Sequence, residues 1–158
     1  MQWDKATDII LIAAIAVLGV FALLGLCQWI RRKSLKKVDR VLLAMILPLV
    51  LMAITYIIFD KFLILNTRPN GSGEPSFPST HVMVVTTVFF LVIIAMPKYI
   101  KSKALCALLD LVMLALISIT ATGRVLSDMH WISDVIGGLA FAVIFTVIYC
   151  LIKKEKHV

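Results

Sequence analysis

The chain has 158 residues, 61% of them hydrophobic, and a formal charge of +7, with a pI near 9.5 and a mean hydropathy of +1.03. A water-soluble domain of this length needs far more polar residues to cover its core, so the composition excludes one and makes lipid the solvent of a single integral-membrane domain, residues 1–158. The basic excess fits cytoplasmic loops of a membrane protein better than a nucleic-acid site, and no nucleic-acid partner is expected.

Five apolar stretches follow along the chain, at about 9–30, 41–59, 82–96, 104–120 and 132–152. A spanning helix needs about 20 apolar residues and tolerates about 17, which predicts an all-α polytopic bundle of about five transmembrane helices. The first stretch is too long for a cleaved leader, and its basic cluster follows it instead of preceding it. Pro48 lies inside the second and predicts a kink. The third is short, with Tyr99 and Ile100 available to extend it past Pro97 into the interface. Cys27, Cys106 and Cys150 lie in or at the edges of apolar runs, form no CxxC pair, and read as small hydrophobic fillers.

The charges orient the bundle. Arg31, Arg32, Lys33, Lys36, Lys37 and Arg40 join the first two spans, Lys98, Lys101 and Lys103 join the third and fourth, and Lys153, Lys154 and Lys156 form the tail. With five spans these segments share one side, which the positive-inside rule makes cytoplasmic, leaving the N-terminus outside. Lys5, Lys61, Arg68 and Arg124 then lie on the side where basic residues are disfavoured. Lys5 reads as part of a flexible terminus beside Asp4 and Asp8; the other three call for a functional reason.

That outer face is built from two loops. One, of roughly 20 residues, reads DKFLILNTRPNGSGEPSFPSTH; its glycines and prolines mark irregular chain. The other reads ATGRVLSDMHW. Two spans separate them, so Lys61, Arg68, His81, Arg124, His130 and Asp134 can converge. Three cations and two imidazoles facing one point suit an anion, and the guanidinium fork suits phosphate. If the second helix continues past Asp60, Lys61 and Arg68 share a face two turns apart. Ser79 is a good N-cap residue for the third span, whose free amides would favour an anion. His130 and Asp134 are spaced for one helical face, where a carboxylate bonded to one ring nitrogen leaves the other free to attack phosphorus. His81 is placed to protonate a leaving oxygen.

These residues, in this order, resemble the type 2 phosphatidic acid phosphatase (PAP2) superfamily. Its K-x6-RP motif is matched by Lys61 through Arg68-Pro69, its PSGH motif by Pro78-Ser79-Thr80-His81, and its SR-x5-H-x3-D motif by Arg124, His130 and Asp134. The resemblance covers roughly residues 41–152. It implies that Lys61, Arg68 and Arg124 hold the phosphoryl oxygens and that Ser79 and the neighbouring amides, Thr80 included, donate to them. It further implies that His130 forms a phosphohistidine, Asp134 orients His130, and His81 serves as acid and then base, with no metal and no cofactor. Thr80 stands where the family has Gly, and Gly123 where it has Ser. Membrane members of the family usually have six spans, and five are read here, as if the first were absent.

The expected activity is hydrolysis of a lipid phosphomonoester or diphosphate at the extracytoplasmic face of the cell membrane. Phosphatidic acid, phosphatidylglycerol phosphate and a polyprenyl diphosphate such as undecaprenyl diphosphate are all open as substrates, and membrane lipids are the expected surroundings. A lipid phosphotransferase and a non-enzymatic lipid-binding or transport protein are the alternatives, and the oligomeric state is open. Metal binding by His81, His130 and Asp134 is the competing site, disfavoured by the three cations. Asp60, Asp128 and Glu74 read as solvated loop carboxylates, Asp110 as a structural group in the fourth span, and Trp131 as part of the interfacial aromatic belt. Gly137-Gly138 permits close helix packing, and His157 belongs to a solvated tail.

Overall fold

The computed structural model describes residues 2–154. Lys156 and His157 lie outside the described residues. The described chain is all-helical, with helices α1 (Gln2–Arg32), α2 (Arg40–Phe62), α3 (Thr80–Lys98), α4 (Lys103–Leu126) and α5 (Ile132–Lys153), each long and apolar enough to cross a membrane. The bundle agrees with the expected spans, and its helices run beyond the apolar cores.

Helix α1 departs most from expectation at its start. Its first turns are helical, and Thr7 heads a buried stripe with Ile10, Ala14 and Phe21. Spacings of three, four and seven keep these residues on one face. The helix would extend about 46 Å at 1.5 Å per residue, longer than a hydrocarbon core, so both ends reach the interface.

Helix α2 is interrupted at Ala44–Met45. The cause is Pro48, whose ring opposes the carbonyl four residues earlier, that of Ala44. Near its end the helix widens into a π turn over Ile58–Phe62 and then stops. Lys61 and Arg68 therefore do not share a helix face; Arg68 lies in the loop beyond.

Helix α3 occupies the centre. In its most apolar window 61% of residues are buried inside the protein, against 17–33% in the other helices. Its sequence HVMVVTTVFFLVIIA is apolar all round, as a helix surrounded by others requires. Helix α5 crosses its start closely. The Ser79 amide donates to the Asp134 carbonyl at 2.9 Å, and a Cβ at Gly138 would lie 2.8 Å from the Ser79 carbonyl oxygen and 3.2 Å from the Met83 nitrogen. The close packing expected of the glycine pair is thus a backbone contact at position 138.

The basic end is tied together by Asp39. Its carboxylate accepts from Gln28 Nε2 at 2.9 Å and from the Tyr99 hydroxyl at 3.0 Å, with Arg32 at 3.4 Å and Lys98 at 3.5 Å. Burial works to raise its pKa, but the bonds from Gln28 and Tyr99 and the charges of Lys98 and Arg32 outweigh it and hold it below the ordinary value. Tyr99, past Pro97 as expected, also packs edge-on against Phe21. The three cysteines are free. Asp110 keeps one carboxylate oxygen buried without a hydrogen-bond partner, and no lysine pairs with it among the described residues.

Because the two nearest atoms facing Gly138 are backbone and cannot swing aside, Gly138→Ala should lower stability by about 1–3 kcal/mol. Gly19→Ala, where nothing lies within 4 Å of the new methyl, should be neutral or slightly stabilising. Thermal unfolding of both variants in detergent compares the two sites.

Candidate active site

The starts of α1, α3 and α5 and the ends of α2 and α4 meet at the end of the bundle away from the basic loops. Between them lies a cavity of about 230 Å³ lined by Arg68, Ser76, Thr80, His81, Arg124 and His130, with Tyr56 and Phe59 on its apolar side. Five of these six polar residues are those the sequence brings together. Asp134 and Ser79 lie immediately behind, and Lys61 lies to one side.

The 63–79 loop builds the wall. It pairs with itself at Thr67 and Pro75, and the Ser76 amide donates to the Asn66 carbonyl at 2.9 Å. Its contacts with the α4–α5 connection fix its height: the Asn70 amide donates to the Asp128 carbonyl at 3.1 Å, and Trp131 Nε1 to the Thr67 carbonyl at 2.9 Å. Trp131 thus combines an exposed ring, suited to an interface, with a specific bond to this loop.

His130 is 5% exposed. Its Nδ1 lies 2.8 Å from the Ser76 carbonyl oxygen, which can only accept, so Nδ1 carries the proton and donates. Nε2 is then an unprotonated lone pair. Burial first, and the charge of Arg124 second, push the His130 pKa from 6.5 down to about 4, against the Ser76 bond and Asp134, which act to raise it.

The expected carboxylate–imidazole bond is replaced. Asp134 Oδ2 lies 3.7 Å from His130 Nδ1, beyond hydrogen-bond reach. Helical spacing puts both residues on one face, but Asp134 is the third residue of α5 and folds back to accept the Trp131 amide at 2.9 Å. Its other oxygen accepts from Asn66 Nδ2 at 3.3 Å. Fully buried, it supplies negative charge near the imidazole and fixes the loop that holds it.

Arg68 Nη1 pairs with Glu74 at 2.8 Å, and Lys61 Nζ with Asp60 at 2.7 Å. Asp60 and Glu74 are therefore ion-pair partners as well as solvated carboxylates. The Lys61 side chain is 70% exposed and lines an adjoining cavity with Glu74 that shares Tyr56, Asp60, Arg68 and Pro75 with the first. Arg124 is 3% exposed, with Nη1 at 2.7 Å from Asp4 Oδ1 and 3.4 Å from Thr7 Oγ1. His81 Nε2 lies 2.8 Å from Asp8 Oδ1.

Ser79 precedes α3 in extended conformation, but its side chain caps no amide. Its hydroxyl is buried without a partner, as are the Ser76 hydroxyl and the Nε atoms of Arg68 and Arg124. Burying such groups unpaired costs about 1–3 kcal/mol each. Among the described residues, no three His, Cys, Asp or Glu side chains gather closely enough to hold a metal ion.

Sequence reasoning missed Ser76, Asn66, Asp4, Thr7 and Asp8. Ser76 acts through its carbonyl, which leaves no side-chain signature. The spacing of Asp4, Thr7 and Asp8 on one helical face, close to Arg124, is the available signal for α1.

Comparison with known proteins identifies the family and the fold. The PAP2 superfamily matches residues 55–157. The fold is similar to the crystal structure of the transmembrane PAP2-type phosphatidylglycerolphosphate phosphatase from Bacillus subtilis, with a TM-score of 0.61 and 17% identity, over 94% of this chain and 74% of that one. No curated protein matches.

The Ser76 contact makes a spectroscopic prediction. Nitrogen-15 NMR of histidine-labelled protein in detergent should show His130 as the Nδ1–H tautomer, neutral at pH 5.5 or so, because its pKa lies near 4. A signal titrating near 6.5 would contradict the buried, carbonyl-bonded placement.

Proposed function

The chain belongs to the PAP2 superfamily, and on that premise we propose that it is a membrane lipid phosphatase acting through a phosphohistidine on His130, without a metal ion. The observation that carries this reading is the His130 imidazole, locked through Nδ1 on the Ser76 carbonyl and sharing a cavity with the guanidinium groups of Arg68 and Arg124. A nucleophile needs a free lone pair, and a transferring phosphoryl group needs positive charge around its oxygens.

In the first step Nε2 of His130 attacks phosphorus, and the bond from phosphorus to the lipid oxygen breaks. His81 gives its proton to that leaving oxygen. Attack leaves the imidazole positively charged; Asp134, buried 3.7 Å from Nδ1, stabilises that charge without taking the proton. In the second step a water gives its proton to His81 and attacks phosphorus, the Nε2–phosphorus bond breaks, and inorganic phosphate leaves.

Arg68 and Arg124 neutralise the phosphoryl oxygens, and the buried hydroxyl of Ser79 and the amides at Thr80 and His81 supply further donors. Lys61, at the rim, steers and holds the headgroup from the adjoining cavity. The substrate class is a phosphomonoester or diphosphate on a lipid whose tail stays in the bilayer, since the site lies at the end of the apolar helices. The site faces the extracytoplasmic side of the cell membrane, with the basic loops cytoplasmic.

Phosphate release from phosphatidic acid, phosphatidylglycerol phosphate and a polyprenyl diphosphate, measured in detergent, tests the reading. At least one lipid should be hydrolysed, His130→Ala should reduce the rate by roughly 10³-fold or more, and chelators should leave the wild-type rate unchanged. Activity that survives His130→Ala, or that chelators abolish, would overturn the mechanism.

The pH dependence has a definite sign. A base whose pKa is depressed stays unprotonated further into the acid range. The limb of kcat/KM due to His130 should therefore lie near pH 4, with activity lost below it, rather than near the ordinary histidine value of 6.5.

A further inference from the structure

Helix α1 lies outside residues 55–157, the span matched by the family, yet it places side chains on two groups of the site. Arg124 is the most withdrawn cation of the molecule's outer end, 3% exposed. A guanidinium so placed needs an anion and fixed donors and acceptors around it. Asp4 supplies the anion at 2.7 Å. Thr7 Oγ1 lies 3.4 Å from the same Nη1 and itself donates to the Asp4 carbonyl at 2.8 Å, joining the two residues in one turn. One turn on, Asp8 Oδ1 lies 3.9 Å from Nη1 and bonds His81 Nε2 at 2.8 Å.

Position 123 is what lets α1 come this near. A Cβ there would lie 2.8 Å from Thr7 Cγ2 and 3.4 Å from Trp3 Cε3. Thr7 is fully buried, so its methyl has little room to retreat. Glycine just before Arg124 and the threonine–aspartate turn facing it are therefore one fitted contact. Any side chain at 123 would lift the start of α1 away from the guanidinium.

We infer that Asp4, braced by Thr7 and admitted by Gly123, is a positioning residue for the phosphatase reaction: it orients Arg124 so that the remaining guanidinium N–H groups face the phosphoryl oxygens. This rests on the phosphatase reading above. The carboxylate touches neither the phosphate nor the reacting atoms; it acts through Arg124, as a partner behind a first ligand does in other charged sites. Its negative charge also opposes the incoming anion. Orientation dominates because Nη1 has Asp4 as its closest partner and Arg124 is too deeply buried for water to replace it.

The test uses the full chain in detergent, with one hydrolysed lipid phosphate as substrate and inorganic phosphate as competitor. Asp4→Asn should raise both KM and the inhibition constant for inorganic phosphate about 10-fold or more, and Asp4→Glu should recover part of that loss. Gly123→Ala, which alters no charge, should raise both constants in the same way. Thr7→Ser/Gly123→Ala, which removes the obstructing methyl and keeps the hydroxyl, should restore them towards wild type.

A purely structural role would reduce the active fraction, lowering kcat while leaving KM and the inhibition constant unchanged. That pattern, or tighter phosphate binding by Asp4→Asn, would overturn the inference. Failure of the wild type to hydrolyse any lipid phosphate, or full activity of His130→Ala, would instead overturn the phosphatase reading, and this inference with it.

Discussion

A guanidinium withdrawn from solvent requires an anion beside it, and the end of this bundle away from the basic loops is arranged around that requirement at Arg124. The cost of an unpaired buried charge exceeds that of almost any other local defect, so the helix carrying the anion must dock closely. Asp4 reaches Nη1 at 2.7 Å only because α1 packs against Gly123 without a side chain between them. The stripe of Thr7, Ile10, Ala14 and Phe21 then continues that docking down the bundle against the central helix α3. The pairing at the polar end and the packing along the membrane are parts of one helix placement.

The same logic governs the second buried centre. His130 cannot be both buried among cations and protonated, so burial and Arg124 depress its pKa to about 4 and the neutral ring is the resting species. A neutral ring needs one acceptor for its single N–H. The Ser76 carbonyl provides it at 2.8 Å, which fixes the tautomer as firmly as a carboxylate would but leaves less negative charge on the ring. Asp134, set 3.7 Å away, contributes charge without capturing the proton, and its bonds to the Trp131 amide and Asn66 hold the loop bearing Ser76. The helix start, the loop and the His130 imidazole are thereby coupled through one buried carboxylate.

Much of this was legible in the sequence because membrane solvation restricts the possibilities so strongly. Apolar runs, basic loops and Pro48 foretold the five helices and the break in the second. The motif residues Arg68, His81, Arg124 and His130 stood out because their side chains are charged or titratable and their spacing survives in one dimension, and the structure brings all four to one cavity. What was not legible depended on backbone or on neighbours distant in the chain. The Ser76 carbonyl has no side-chain signature, Asn66 is tied to Asp134 only by the loop's path, and the π turn at Ile58–Phe62, which turns Lys61 outward, follows from no simple pattern. Asp4 and Asp8 looked like a polar terminus because a helix start with two acidic residues is common. Their meaning came only from what α1 packs against.

The charge pairing also shapes how an anion can enter. Every cation named for phosphate binding already has a carboxylate beside it: Asp60 for Lys61, Glu74 for Arg68 and Asp4 for Arg124, with Asp8 on His81. These carboxylates are not equivalent. Glu74 and Asp8 are 58% and 53% exposed, and exposed pairs contribute little and rearrange readily. Asp4 is 29% exposed and faces an almost fully buried partner, so it stays. On the proposed reading, a phosphoryl group entering the cavity displaces Glu74 from Arg68 and Asp8 from His81 while Arg124 stays clamped from behind. The exposed pairs balance the positive charge around the cavity, and the buried pair fixes the Arg124 guanidinium; on the proposed reading this leaves one donor group already oriented for phosphoryl transfer.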